Sequence, residues 1–241
     1  MRLAWIGRAP ASYDATFMAR MAGVYLDQTP WTRLRLAAVR ELLRPQPGER
    51  VLDLGSAGGA MTHFASTFGC RAVGLDAEPA AVETATRTFP SLRFELADVT
   101  ALPFSDESFD KAVAADLVEH LADADIARMF AEVFRVLVPG GTLVVYTPNP
   151  RHPIEVLKKR DLVLARNETH IALRDSPALV AQLRRAGVVV EREEWRAGFL
   201  TGLRTLERFA GGRVPALRYR LCLLARRPAD QAPSSDREPG S

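Results

Sequence analysis

The sequence lacks any continuous apolar run long enough to cross a membrane. A spanning helix needs about 18 or more consecutive apolar residues, and the 241 residues contain no such run. Residues 1–20 also lack the continuous apolar segment of a secretory signal peptide. We therefore expect a cytoplasmic protein that has no membrane partner.

Cysteine is scarce as well. The chain has 2 cysteines, Cys70 and Cys222, which lie far apart in the sequence. Two distant cysteines supply neither a disulfide framework nor a zinc site. A reducing compartment suits a chain of this composition.

A concentrated basic surface is also missing, although the net charge is +3 and the pI is about 9.1. Lys158, Lys159 and Arg160 form a short basic cluster. Nucleic-acid-binding proteins more often carry a basic stripe with aromatic residues between the charges. We interpret the cluster as a solvated helix face and expect no nucleic-acid partner.

The sequence does contain short apolar strands that alternate with helices. Residues 11–43 precede them and read as two helices divided at Thr29 and Pro30. The alternation predicts a parallel sheet covered on both faces. The predicted strands are residues 50–55, 71–76, 92–97, 109–115 and 142–147, and the predicted helices are residues 61–68, 79–89 and 124–137, the last stopped by Pro139, Gly140 and Gly141.

The remaining third of the chain is less regular. Residues 148–175 begin with three prolines; a helix is expected at 155–165, and His152 is expected to be exposed. Ser176 is expected to cap a helix over 177–186, with two last strands at 188–195 and 218–226. Residues 228–241 are polar and rich in proline and serine, which predicts a disordered tail.

A glycine-rich turn at residues 55–59 joins the first strand to a helix. Glycine permits positive φ and lets a ligand approach the backbone closely, and open α/β sheets bind ligands at such strand ends. Asp76 ends the next strand about 20 residues after Gly55, the position of an acid that hydrogen-bonds a ribose. This pattern predicts a nucleoside-binding site.

Two features argue against a dinucleotide at this site. The spacing Gly-x-x-Gly-Gly differs from the dinucleotide fingerprint. Asp53 lies two residues before the first glycine, and its negative charge would repel a pyrophosphate. The same charge suits a ligand with a cationic amino group and a sulfonium.

Residues 51–59, VLDLGSAGG, resemble motif I of the class I S-adenosylmethionine-dependent methyltransferases. Four further segments resemble motifs of this family in the family's order: GLD at 74–76, ELADVTALPF at 95–104, FDKAV at 109–113 continuing to EHL at 119–121, and LVPGGTL at 137–143. The resemblance covers about residues 48–147 well and 175–226 loosely. It implies S-adenosylmethionine as the cofactor.

The resemblance implies that the glycine loop wraps the methionine part of the cofactor, with Asp53 near the amino group. The loop residues concerned are Gly55, Ser56, Ala57 and Gly59, and Ser56 stands where many relatives carry cysteine. An alternative for Asp53 is that it only orients the loop.

For the rest of the cofactor, the resemblance implies that Asp76 binds the ribose and Ala77 packs beside the adenine. Asp98 would hydrogen-bond the adenine amine, and the backbone of Val99 would donate to the ring. Asp116 and Leu117 would lie beneath the sulfonium. A plain capping role is the alternative for Asp98.

His120 is the candidate catalytic residue, because it follows the fourth strand near the expected methyl group. Placing the two reactants is much of the work of methyl transfer, and a hydroxyl acceptor often also needs a base, for which histidine is suited. Glu-His-Leu is common in the family, however, including in members with different chemistry. Asp116, Glu119 and His120 could also meet a divalent ion, but hard cations need more oxygen ligands, so we expect no metal.

The N-terminal helices often cover the cofactor in this family. Tyr13 and Tyr25 are therefore candidates to reach the cofactor or the acceptor, with ordinary packing as the alternative for each. His170 either faces the acceptor or caps the helix that follows it.

These expectations combine into one prediction. The fold is a Rossmann-like α/β sheet of seven mostly parallel strands, the last antiparallel, with a helical lid at 1–44, a methyltransferase domain at 45–227 and an acceptor-side insertion at 148–175. The function is methyl transfer to an oxygen or nitrogen of a small molecule, as in many enzymes of secondary metabolism, by a monomer or homodimer. A nucleic-acid methyltransferase and a non-catalytic S-adenosylmethionine-binding regulatory protein are the alternatives.

Overall fold

The computed structural model describes residues 15–159, 172–198 and 217–229, together with Thr205, Glu207, Phe209 and Val214. Tyr13 and His170 lie outside the described residues. So do most of the predicted tail and the second half of the helix expected at 155–165.

Two helices open the described chain, as the break at Thr29 and Pro30 predicted. Helix α1 spans Ala15–Leu26 and helix α2 spans Pro30–Leu43. Thr29 caps α2, since its hydroxyl accepts a hydrogen bond from the backbone N–H of Thr32 at 3.3 Å.

Seven strands form one sheet in the order β3-β2-β1-β4-β5-β7-β6. Strand β7 runs antiparallel to both β5 and β6, and the other neighbouring strands are parallel, which confirms the predicted fold class. The strands are β1 Arg50–Leu54, β2 Arg71–Asp76, β3 Arg93–Leu96, β4 Phe109–Ala115, β5 Leu137–Pro148, β6 Val189–Arg196 and β7 Arg220–Arg226.

The order of the strands locates the crevice of the sheet. The chain proceeds outward from β1 to β3 on one side and from β4 onward on the other, so the connections diverge between β1 and β4. Ligands of open α/β sheets bind outside the carboxyl ends of the strands at such a divergence.

Further helices are α3 Ala60–Ser66, α4 Pro79–Thr88, α5 Asp123–Val136, α6 Pro153–Lys159 and α7 Ser176–Arg185, and a 3₁₀ turn spans Val118–His120. One predicted cap is wrong. Asp175 caps α7 in place of Ser176, because the Asp175 carboxylate accepts from the N–H of Ala178 at 3.3 Å while Ser176 already lies in the helix.

Strand β5 also differs from its prediction. It begins at Leu137, directly after α5, so Pro139, Gly140 and Gly141 lie inside the strand. The pairing with β4 accommodates them through a register shift between Phe109 and Lys111. The proline and glycines therefore mark an irregular start of the strand.

The core lies on both faces of the sheet, because alternate strand residues point to opposite sides. Helices α5 and α7 cover one face, where Phe130 and Leu183 are buried among strand residues such as Leu143. Helices α2 and α3 cover the other face with Val39 and Met61. Within the part of the chain that the structure describes, no helix has the length and apolarity needed to span a membrane.

Replacing Phe130 by alanine is expected to destabilise the fold. The Phe130 side chain is 0% exposed between α5 and the sheet, and truncating a buried phenylalanine costs about 3–5 kcal/mol of unfolding free energy. Urea unfolding followed by circular dichroism measures this cost, with Ala131→Ser on the exposed face of α5 as the control. A loss below about 1 kcal/mol would contradict the described packing.

Candidate functional site

The loop at residues 55–59 is packed closely enough to require glycine. Gly55 has φ 69° and Gly59 has φ 82°. A Cβ atom at Gly55 would lie 2.8 Å from Leu117 Cδ1, and one at Gly59 would lie 2.8 Å from Phe94 Cζ. The loop therefore follows a backbone path that larger residues would strain.

Asp76 fixes this loop to the end of β2. Its Oδ2 accepts a hydrogen bond from the N–H of Ala57 at 2.9 Å, and its Oδ1 accepts from the N–H of Glu78 at 3.0 Å. Burial raises the pKa of Asp76. Ala77 follows as an exposed residue at the same edge. The predicted ribose acid is thus next to the predicted loop.

Asp53 lies beneath the loop and is 2% exposed. Its Oδ2 accepts a hydrogen bond from the hydroxyl of Thr62 at 2.7 Å, which ties β1 to α3. Burial raises the pKa of Asp53 to about 6. The Asp53 carboxylate thus has a structural contact of the kind that an orienting role needs. Contact of Asp53 with a ligand stays a prediction.

Asp98 and Val99 differ in exposure. Asp98 is exposed, and its Oδ1 accepts a hydrogen bond from the N–H of Thr100 at 2.7 Å, which lowers its pKa. Val99 is buried. The Asp98 carboxylate thus makes a local turn bond, and both its capping role and the contact of either residue with an adenine stay predictions.

Helix α1 lies against the glycine loop. A Cβ atom at Gly58 would lie 3.0 Å from the carbonyl oxygen of Met18 and 3.2 Å from the backbone nitrogen of Ala22. Tyr25, on the same helix, is buried, and its hydroxyl hydrogen-bonds His63 Nδ1 at 2.8 Å. These contacts of Tyr25 are packing contacts, and its contact with a cofactor stays a prediction.

Asp116 follows β4 with φ 57°, a left-handed conformation that costs free energy for a residue other than glycine. Its N–H donates to the carbonyl of Tyr146 at 2.7 Å. Its Oδ1 accepts from Arg220 Nη1 at 2.8 Å, and its Oδ2 lies 3.3 Å from Arg35 Nε. Neither arginine is predicted as a site residue from the sequence. A place for Asp116 and Leu117 beneath a sulfonium stays a prediction.

Glu119 lies in the 3₁₀ turn after Asp116 and is 1% exposed. Its Oε2 accepts a hydrogen bond from the hydroxyl of Thr147 at 3.0 Å, and its Oε1 has no hydrogen-bond partner among the described residues. Burial, together with the negative charge of Asp116, raises the pKa of Glu119 to about 8. Burial therefore favours the neutral form of this carboxyl.

His120 lies at the same edge of the sheet as the glycine loop. It is partly exposed, and its charge acts on Asp76, whose pKa it lowers in opposition to the effect of burial. The candidate base is therefore near the candidate ribose acid. In the described part of the chain, no three His, Cys, Asp or Glu side chains are grouped so that they could hold a metal ion.

The expectation that His152 is exposed is wrong. Its side chain is 0% exposed, and its Nε2 lies 3.0 Å from Glu207 Oε1. The Tyr219 ring packs edge-on against the imidazole, with centroids 4.9 Å apart. Burial lowers the pKa of His152. The proline-rich segment is thus folded against the start of β7.

A groove of about 540 Å³ lies at the opposite edge of the sheet, near the amino ends of β4 and β5. Charged residues that line it are paired with one another, such as Lys111 with Glu49 at 2.8 Å and Arg226 with Glu191. It is distant from the glycine loop and offers no reactive group that lacks a partner.

Residues 51–141 match the family model described as a methyltransferase domain. A probable S-adenosylmethionine-dependent methyltransferase of Mycolicibacterium smegmatis is 30% identical over 165 residues, 68% of this chain and 62% of that protein. A demethylmenaquinone methyltransferase of Beutenbergia cavernae is 35% identical over 127 residues, 52% of each chain. The chain thus spans about half to two thirds of the length of these curated relatives.

A solved structure shares the fold. The [4+2]-cyclase SpnF has a TM-score of 0.64 and 20% identity, with 92% of this chain and 98% of that chain covered. At this identity the likeness concerns the fold alone, since unrelated functions recur on one fold.

Replacing Arg220 by methionine is expected to destabilise the protein. The variant leaves the Asp116 carboxylate beside Arg35 alone, and breaking a buried ion pair from one side costs about 3 kcal/mol of unfolding free energy. Arg151→Met is the control, because Arg151 pairs with Asp175 in solvent at 3.1 Å. Equal unfolding midpoints in urea for the two variants would contradict this assignment.

Proposed function

We propose that this chain transfers a methyl group from S-adenosylmethionine to an oxygen or nitrogen of a small molecule, which the match of residues 51–141 to a methyltransferase-domain family model supports. The observation that carries the proposal is the tie between the glycine loop and Asp76 at 2.9 Å. This hydrogen bond links the glycine loop, which a ligand can approach closely, with Asp76, an acid suited to bind a ribose.

The residues around the loop fit the cofactor. The hydroxyl of Ser56 is buried and has no hydrogen-bond partner among the described residues. Buried polar atoms are nearly always satisfied, so this hydroxyl is suited to a polar group of the methionine part. Ser56 also retains the small size that the loop requires where relatives carry cysteine.

We propose the following division of roles for the binding residues. Asp76 binds the ribose hydroxyls, Asp98 and Val99 hold the adenine, and Asp53 attracts the amino group from beneath the loop. The cofactor supplies a methyl group on a positively charged sulfur. The residues of the chain orient it and exclude water from it.

The N-terminal helices are proposed as a lid over this site. Helix α1 contacts the loop at Gly58, and Arg35 of α2 reaches Asp116 at the end of β4. We propose residues 1–44 as this lid, 45–227 as the methyltransferase domain and 148–175 as the part that faces the acceptor.

A small acceptor is supported by the names of the relatives. Besides the demethylmenaquinone methyltransferase, they include a phosphoethanolamine N-methyltransferase of Arabidopsis thaliana and the O-methyltransferase cnsE of Penicillium expansum. We propose no nucleic-acid partner. The cytoplasmic location, the role in secondary metabolism and the monomeric or homodimeric state stay predictions.

Calorimetric titration with S-adenosylhomocysteine tests cofactor binding. Wild-type protein is expected to bind with micromolar affinity, and Asp76→Ala to bind about 10- to 100-fold more weakly, because a charged hydrogen-bonding partner is lost. Gly55→Arg is expected to abolish binding, since its Cβ alone would clash with Leu117.

The control for both variants is Glu83→Gln, which changes an exposed residue of α4. Failure of well-folded wild-type protein to bind would overturn the proposed function. Such a result would indicate that the chain keeps the methyltransferase fold but has a different function.

The affinity is also expected to depend on pH through Asp53. Its pKa is raised to about 6 by burial, and a nearby cationic amino group favours the ionised carboxylate. Affinity should therefore increase as the pH rises from about 5 to about 7 and level off above that. Asp53→Asn should flatten this part of the profile, and an unchanged slope in that variant would refute the role of Asp53.

A further inference from the structure

Several buried polar atoms near the carboxyl ends of β4 and β5 and the start of β7 have no hydrogen-bond partner among the described residues. They are Arg35 Nε, Asp116 Oδ2, Glu119 Oε1 and Arg220 Nε. Arg35 Nε and Asp116 Oδ2 at least face each other as an ion pair. Glu119 Oε1 has no such neighbour, although its side chain is 99% removed from solvent in this cluster. An unsatisfied buried oxygen of this kind needs an explanation.

The 3₁₀ turn that carries Glu119 lies between the glycine loop on one side of the crevice and the end of β5 on the other. On one side, Leu117 packs against Gly55, and the charge of His120 acts on Asp76. On the other side, Glu119 points to Thr147 at the end of β5. Glu119 is therefore next to the proposed cofactor site but faces the strands where an acceptor would enter.

Charged groups surround Glu119 from each element packed there. Asp116 after β4 opposes its ionisation, and Arg220 of β7 favours it. Arg35 of α2 partly neutralises Asp116. Arg174, before α7, donates to the carbonyl of Val118 and is paired with Asp123. Burial is the largest effect, so this balance favours the protonated carboxyl.

We propose, building on the proposed function, that Glu119 accepts the proton of a methyl acceptor bearing an O–H or N–H group, and that the positive charge of the methyl donor converts it into the carboxylate. Glu119 is then a base only while the donor is present. The acceptor is protic, in contrast to a thioether or a tertiary amine.

The proposed step balances in atoms and charge. A lone pair of the acceptor oxygen or nitrogen forms a bond to the methyl carbon, and the carbon–sulfur bond breaks with its electron pair left on sulfur. The proton of the acceptor moves to the Glu119 carboxylate. Sulfur becomes neutral, so Glu119 is again stable as the carboxylic acid, as in the resting protein.

The expected size of the effect follows from Coulomb's law. If the positive sulfur binds about 6 Å from the carboxyl, an effective dielectric constant of about 20 lowers the pKa of Glu119 by about two units. A group with a pKa of about 8 would change from mostly protonated to mostly ionised at pH 7, with release of about 0.8 proton.

Calorimetry of two ligands isolates this proton. S-Adenosylmethionine and S-adenosylhomocysteine share the amino group, carboxylate, ribose and adenine, but only the first has the positive sulfur. Titrations in buffers of different ionisation enthalpy give the protons released by each ligand. At pH 7, wild-type protein is expected to release about 0.8 more proton with S-adenosylmethionine.

Three variants assign this difference. Glu119→Gln is expected to abolish it while S-adenosylhomocysteine still binds. His120→Gln is expected to retain it, which separates Glu119 from the other candidate base. Glu155→Gln, a second buried glutamate, is expected to retain it as well.

The outcomes are distinct. Equal proton release by the two ligands in wild-type protein overturns the assignment of Glu119, and so does a difference that survives in Glu119→Gln or disappears in His120→Gln. If neither ligand binds, the proposed function itself fails. If Glu119→Gln does not fold, Thr147→Val serves instead: it removes the hydrogen bond that favours the carboxylate, so proton release at pH 7 should fall.

Discussion

The glycine loop is held to strand β2 at two points, and the geometry of the site depends on this tie. The N–H of Ser56 donates to the carbonyl of Leu75 at 2.9 Å, and the N–H of Ala57 donates to the Asp76 carboxylate at 2.9 Å. These bonds hold the loop in one conformation, although its glycines would otherwise allow several. Leu117 packs on the same loop, so the loop also fixes the position of the residues that follow β4.

A second constraint acts on the acceptor side, where charges from three distant parts of the chain meet. Arg35 comes from α2, Asp116 follows β4 and Arg220 begins β7. Buried ion pairs contribute little net stability, because desolvation offsets the attraction. What this cluster provides is a fixed position for Asp116 in a strained backbone conformation, and a link between α2 and the carboxyl edge of the sheet.

The sequence predicted those features that depend on neighbouring residues. Gly55 and Asp76 could be recognised because a strand, a glycine turn and an acid follow one another at a regular spacing. Arg35, Arg220 and the burial of Glu119 could not, because their partners are remote in sequence and come together only in the folded sheet.

The errors have local causes of the same kind. Asp175 and Ser176 are adjacent residues that both cap helices well, so sequence alone does not choose between them. His152 was placed in solvent because three nearby prolines indicate a loop. Proline and glycine also suggested a stop before β5, whereas the pairing of β5 with β4 absorbs them through a register shift.

The positions of Glu119 and His120 on one short turn bear on where charge moves during the proposed reaction. Positive charge leaves the sulfur and develops on the acceptor. A negatively charged group on the acceptor side therefore stabilises the transition state more than the bound reactants. Glu119 points to that side, towards Thr147, whereas His120 acts on Asp76. A group beside Asp76 lies on the donor side, where positive charge decreases, so it would not stabilise the transition state more than the bound donor. The orientation of the turn therefore favours Glu119 as the group that stabilises the positive charge developing on the acceptor.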